Sequence, residues 1–234
     1  NLAHQDDRIY LTWYTYDASG KALWLAMLAS KTAPGTYRGD IVELRGPPFS
    51  SVPFPLTATA TTVGSGTLTF SDASTGTFAN TAKGVTQTKP ITRFTFGAQP
   101  TCTYGTAPTL ASATNYQDLW WNASESGWGI NLAHQGDQIY ATWYTYDSDG
   151  SPLWLASLLS KSGGTYSGML LRFTGPPFSA VPFPLTAAPT TVGSATLAFA
   201  NGNAGTWSYT VGATSGSKPI SRFLFAPPSG TVCQ

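Results

Sequence analysis

The chain has 234 residues, of which only 10% are charged against roughly 25% in an average soluble domain, and its net charge is +1. The few Lys and Arg are scattered, which removes the electrostatic footprint that nucleic acid or an anionic lipid surface requires. No apolar run approaches the ~20 residues of a membrane span, so neither partner class nor a spanning helix is expected.

Almost everything in the sequence occurs twice. NLAHQDDRIYLTWYTYDASG (residues 1–20) returns as NLAHQGDQIYATWYTYDSDG (residues 131–150), and the copies stay in step through LWLA, GPPFS, VPFPLTA, TTVGS and KPI to RFTF and RFLF. A repeat of this length is too long for a solenoid unit, so each copy is expected to be a domain with its own core. The predicted organisation is repeat one at 1–97, a Thr/Ala/Pro-rich linker at 98–114, and repeat two at 115–234.

In chain order, residues 8–16 alternate Ile9, Leu11 and Trp13 on one face with Tyr10, Thr12, Tyr14 and Tyr16 on the other, the period of a strand. Residues 17–20 and their twins 147–150 have the composition of a hairpin turn. Partner strands follow at 22–30 and 153–160, with Pro152 at a strand start where its missing donor is tolerated. Next come 37–44 and 166–173, ended by GPPF. The proline-dense segment 47–55 reads as an extended edge or crossover loop pinned by Phe49 and Phe54, because each Pro removes a ladder donor. Strands are then predicted at 66–70, 76–82 and 91–96, and at 195–199, 205–211 and 220–225. No window carries an amphipathic helix. The fold expected is all-β: two tandem antiparallel barrels or sandwiches, with closure favoured because it removes aggregation-prone edges.

One stretch occurs once. Residues 115–130, NYQDLWWNASESGWGI, precede repeat two as a leader and have no counterpart ahead of repeat one. The leader is expected to supply the first strand and turn of repeat two. Repeat one is then expected to lack that strand, either because an equivalent is donated by a neighbouring molecule or because the chain is part of a longer array.

Trp120, Trp121, Glu125 and Trp128 are the candidate binding or strand-complementation residues. The plain reading has the indoles plugging one end of a small barrel, since large aromatics are mostly buried. A second sets exposed indole faces against sugar rings, with Asn122 and Glu125 bonding hydroxyls. A third makes Glu125, with Asp118, a glycosidase pair, though acidic residues are scarce. No catalytic residue, metal site or cofactor is assigned. His4 and His134 are expected as strand residues rather than ligands, and no serine sits in a nucleophile motif. Cys102 and Cys233 each follow the last strand of their repeat. They are read either as one disulfide tying the repeat ends together or as two thiols paired elsewhere.

The motif D-L-W-W-N-x-x-E-S-G-W-G (residues 118–129), the Q-G-D at 135–137, and T-W-Y-T-Y-D-x-x-G and x-L-W after it resemble a tandem module of secreted and surface proteobacterial proteins. That family's V-G-x-x-T-L-x-F, G-T-x-x-Y-T-V and K-x-I-T-R-x-x-F elements are matched from Val192, Gly205 and Lys218, with Ser221 in place of Thr. Ala123 stands where members often have Pro, and His134 where they often have Gln. The resemblance covers repeat two throughout and repeat one without its leader. It carries no assigned activity, and implies compartment and modularity instead. The function expected is a non-enzymatic structural or assembly module, extracellular or on a bacterial cell surface. It would self-associate or pack on neighbouring repeats, by strand complementation into a surface or fibre structure. Polysaccharide binding is the alternative.

Overall fold

The computed structural model describes residues 1–104, 109–184, 186–227 and 230–234. It is built almost wholly of strands; the two helical elements among the described residues are single 3-10 turns, Leu110–Ser112 and Ala123–Glu125. No helix is long and apolar enough to cross a membrane.

Repeat one forms an antiparallel meander of seven strands in sequence order: β1 (Leu2–Gln5), β2 (Arg8–Tyr16), β3 (Ala22–Ala33), β4 (Thr36–Arg45), β5 (Thr59–Phe70), β6 (Thr75–Ala82) and β7 (Val85–Thr92). The short strand β8 (Cys102–Tyr104) follows it. Repeat two contains β9 (Asp118–Trp121), β10 (Gly129–Gln135), β11 (Gln138–Tyr146), β12 (Pro152–Ser162), β13 (Thr165–Thr174), β14 (Ala188–Asn201), β15 (Ala204–Val211) and β16 (Thr214–Arg222), and β17 (Thr231–Cys233) ends the chain. Strands β9 to β16 close into a barrel in which β9 lies between β10 and β16. Repeat one is therefore a curled open sheet and repeat two a closed barrel. The leader makes the difference.

Two predicted strand boundaries are corrected. The strand placed at 91–96 is β7, which starts at Val85 and ends at Thr92, and its twin at 220–225 is β16, which starts at Thr214 and ends at Arg222. The chain leaves each sheet there because a side chain on the other repeat takes over its backbone bonding. Gln135 donates to the Phe94 carbonyl and accepts from the amides of Phe96 and Gly97. Gln5 likewise donates to the Phe223 carbonyl and accepts from Phe225 N–H. Strands β5 and β14 also begin earlier than 66 and 195. Their Thr-rich starts are exposed but pair with β4 and β13. β-branched threonine suits that extended, half-solvated ladder.

The repeats pack by a pseudo-two-fold exchange. Trp24 Nε1 donates to the Thr145 carbonyl (2.8 Å), and Trp154 Nε1 donates to the Thr15 carbonyl (2.9 Å). Phe49 N–H donates to Tyr146 O and Phe178 N–H to Tyr16 O, each at 3.0 Å. The rings follow: Phe49 packs on Trp143 inside repeat two, and Phe178 on Trp13 inside repeat one. A glycine opens each GPPF loop because the other repeat's tyrosine lies against it. A Cβ at Gly46 or Gly175 would come within 2.4 Å of the Tyr146 or Tyr16 ring.

This exchange explains why β2 and β11 are aromatic on both faces. Ile139 and Trp143 point into the barrel, while Tyr144 and Tyr146 meet Trp24 of the other repeat. The largest apolar cluster accordingly runs through both repeats, with Tyr16, Trp24 and Phe54 joining the barrel's aromatics. A second cluster, around Leu25, Met27, Ile41 and Leu68, fills repeat one and includes Phe178 from repeat two. The two cores are joined rather than independent.

The segment expected as a linker is partly structured. Cys102 and Cys233 are disulfide-bonded, and β8 pairs with β17 around them. The turn at Leu110–Ser112 packs on Gly202, whose N–H donates to Ala111 O. Residues 105–108 of that segment lie outside the described residues.

Candidate functional site: the leader and its seat in repeat two

Strand β9 is held by backbone pairing on both sides: Trp120 opposite Ile130 and Arg222, and Leu119 opposite Asn131. Pro219 lies in β16 just before its pairing with β9 begins, so its missing N–H leaves no gap in that ladder.

Asp118 is the leader's first anchor. Its carboxylate accepts from Arg222 Nη1 (2.9 Å), and both side chains are almost completely shielded. The guanidinium also donates to the carbonyls of Asn115, Gln117 and Gly202, so its donors point at acceptors on both sides of the seam. Burial holds the Asp118 carboxyl above the usual carboxylate range, against the opposing pull of Arg222 and the Leu119 N–H.

The second anchor is at the turn. Asn122 accepts from Ser124 N–H and Oγ, capping the 3-10 turn. That places Glu125 to accept from Lys218 Nζ (2.6 Å) and Trp128 Nε1 (3.1 Å). The Lys218 ammonium lies over two rings, Phe54 at 5.7 Å and Trp128 at 5.5 Å. Gly127 then turns with φ of +127°, a backbone region that disfavours any side chain, and its carbonyl accepts from Tyr146 Oη.

The aromatics divide by position. Trp120 and Trp128 are buried, Trp120 against Phe199 and Trp128 beside Trp143. Trp121 is half-buried against Phe223 at 4.7 Å. Trp120 and Trp128 therefore present no free indole face of the kind a sugar-stacking platform requires. Tyr116, just ahead of β9, stacks on Phe199 (3.6 Å) and on the His134 imidazole (5.5 Å). His134 Nδ1 accepts from Tyr116 N–H, and Nε2 faces the Gly136 carbonyl (3.0 Å), which assigns the neutral ring with its proton on Nε2. Its twin His4 faces Tyr37 Oη (3.2 Å) as His134 faces Tyr166 Oη (3.2 Å).

The structure thus brings Trp120, Trp121, Glu125 and Trp128 together as one seam-closing element, with Asp118 and Glu125 each committed to a cation. Cys102 and Cys233 lie apart from it, at the repeat ends. Lys218 and Arg222 hold the leader's two acids, a role that the sequence reading, which matched them only as part of a family element, did not assign. Their signal was present, since K-P-I-x-R stands in both repeats (Lys89 and Arg93; Lys218 and Arg222). Among the described residues, no cluster of His, Cys, Asp or Glu is placed to hold a metal. In comparisons with known proteins, no family model, no curated protein and no solved structure matches the chain.

Proposed function

We propose that the chain is a non-enzymatic structural module of an exported or cell-surface bacterial assembly, which packs by completing an open β-sheet with a strand from outside it. One observation carries the reading: β1 and β7 are the two edges of repeat one's sheet, and no strand stands between them among the described residues, whereas β9 fills the equivalent position of repeat two. An edge pair of this kind is a template for β-augmentation, in which main-chain hydrogen bonds supply affinity and side-chain pockets supply selectivity. The low charge and the Cys102–Cys233 disulfide are in keeping with an oxidising compartment outside the cytoplasm.

The carboxylates best placed for hydrolysis give no support to an enzymatic reading. Asp118 is buried on Arg222, and Glu125 is occupied by Lys218 and Trp128. The small barrel is filled by Trp143, Trp207 and Tyr209, as expected for eight strands.

Sedimentation velocity across a hundredfold concentration range, together with intact-mass measurement of the protein from its source, tests the reading. Concentration-dependent association, or a species with a leader-type strand bound, is expected. A strict monomer with the β1 and β7 amides fully open to exchange, unchanged when leader-type peptide is added, would overturn it.

A further inference from the structure

Repeat one carries the equivalents of five residues that hold the leader in repeat two. Asp118 lies on Arg222, Trp121 on Phe223 and Glu125 on Lys218, whose ammonium lies over both Trp128 and Phe54, and the Gly127 carbonyl accepts from Tyr146 Oη. By the internal repeat, the equivalent receptors are Arg93, Phe94, Lys89, Phe183 and Tyr16.

Two of these keep the neighbours of their repeat-two equivalents. Arg93 donates to the Ala73 carbonyl through Nη2 (3.1 Å), where Arg222 donates to the equivalent Gly202 carbonyl through Nε. The Lys89 ammonium lies 5.3 Å from the Phe183 ring, as Lys218 lies 5.7 Å from Phe54. Neither Arg93 nor Lys89 is paired with an acid among the described residues, while both repeat-two equivalents are. The Tyr16 hydroxyl has no hydrogen-bond partner among the described residues, whereas Tyr146 Oη has Gly127 O.

The apolar receptors are uncovered in the same register. Leu2 is 38% exposed where Leu132 is 1%, and Phe183 is 38% exposed where Phe54 is 4%. Phe94 is 69% exposed, and its equivalent Phe223 is the ring on which Trp121 packs. An open cleft of about 460 Å³ lies between β7 and the proline-rich loop of repeat two, lined in part by Gln87, Lys89, Pro90, Val181 and Phe183. Behind it, Asn80 and Gln87 face each other across β6 and β7, and their buried amides have no hydrogen-bond partner among the described residues. Repeat two has Tyr209 and Gly216 at those places, close to Glu125.

We infer that the seam between β1 and β7 is a peptide-binding site for one strand of the leader pattern. That occupant has an Asp followed by an apolar residue and two Trp, then a Glu seven residues after the Asp in an S-G-W-G turn. Arg93 takes the Asp, Lys89 takes the Glu, and Phe94 and Phe183 cover the tryptophans. The register places the Asp opposite Leu2 and the first Trp opposite Arg93, as Asp118 lies opposite Leu132 and Trp120 opposite Arg222. Two cations lining an edge select an acidic strand, and the spacing of those cations selects where its two acids fall. This inference rests on the strand-complementation reading and adds the identity of the occupant.

The test uses the whole chain and a labelled synthetic peptide of residues 116–130, followed by fluorescence anisotropy and by hydrogen exchange. One peptide per chain should bind, with new protection at the β1 and β7 amides. Arg93→Gln or Lys89→Gln in the protein, or neutralising the Asp or Glu in the peptide, should each weaken binding by roughly tenfold. Combining Arg93→Gln with the Asp-neutralised peptide should add little further loss. Arg93 is exposed and Lys89 half-exposed, and the peptide substitutions leave the protein untouched, so misfolding cannot mimic the result. Failure of the unmodified peptide to bind would overturn this inference and strand complementation together. Binding at β1 and β7 that ignores all four neutralisations would overturn recognition by Arg93 and Lys89, and leave strand complementation standing. Protection confined to β10 and β16 would mean exchange with β9, and would overturn the assignment to repeat one.

Discussion

At the scale of single residues, Asp118–Arg222 is the most shielded ion pair among the described residues. Removing one partner leaves a shielded charge without its counter-charge, which costs about 3–5 kcal/mol in comparable sites. Asp118→Ala should therefore lower the free energy of unfolding by about that amount in urea titration. An apolar replacement of both residues should recover part of the loss. His4 and His134 give a second prediction. Burial lowers both imidazole pKa values below the usual 6.5. The unfolded chain therefore takes up protons that the folded chain resists as pH falls below about 6.5. Stability that is fully present above that value should decline as pH drops towards the lowered folded pKa values, then level off. The depressed carboxyls of Asp17 and Asp72 act at lower pH, below the ordinary aspartate value of 3.8. His4→Gln with His134→Gln should flatten the urea midpoint between pH 7 and pH 5, and an unchanged slope would place its source elsewhere.

At the scale of elements, the reciprocal tryptophans hold β3 and β12 against the opposite repeat. Trp24 and Trp154 are buried and each donates to a carbonyl across the interface. Trp24→Ala and Trp154→Ala should each cost about 3–5 kcal/mol, through a lost ring and an unpaired carbonyl. Because both lie in one aromatic cluster, the double variant should depart from additivity in denaturant titrations. Most strand positions were legible in the sequence, since Ile9–Leu11–Trp13 and their twins alternate as a strand facing a core must. The ends of β7 and β16 were not, because Phe94 and Phe223 look like strand residues yet bond to Gln135 and Gln5 on the other repeat. Nothing local marks a glutamine that substitutes for a neighbouring strand.

At the scale of the whole molecule, the Cys102–Cys233 bond joins positions 131 residues apart and closes the two repeat ends onto each other. Loop closure of that length is worth up to about 4–5 kcal/mol in the chain-entropy picture. Cys102→Ser with Cys233→Ser, or reduction, should lower the melting temperature measurably in calorimetry. The shared apolar cluster adds a second expectation: the repeats should unfold in one cooperative transition while the disulfide is intact. The candidate site was half legible at this scale. Trp120, Trp121, Glu125 and Trp128 stood out because they occur once against a duplicated background. Arg222 and Lys218 did not, because cations in a strand read as solvated until an acid is seen beside them.

The sequence by itself determined the all-β class, the duplication, and the leader as the first strand of repeat two. Period-two patterning and self-similarity are local or comparative signals that need no coordinates. Only the tertiary structure decided that the GPPF loops, tryptophans and tails are exchanged between repeats, so that the two cores are joined. Those outcomes depend on contacts between residues more than a hundred positions apart, such as Trp24 with Thr145 and Gln5 with Phe223. Packing across that distance leaves no periodic trace in either partner, so it can be read only where the two chains of contacts meet.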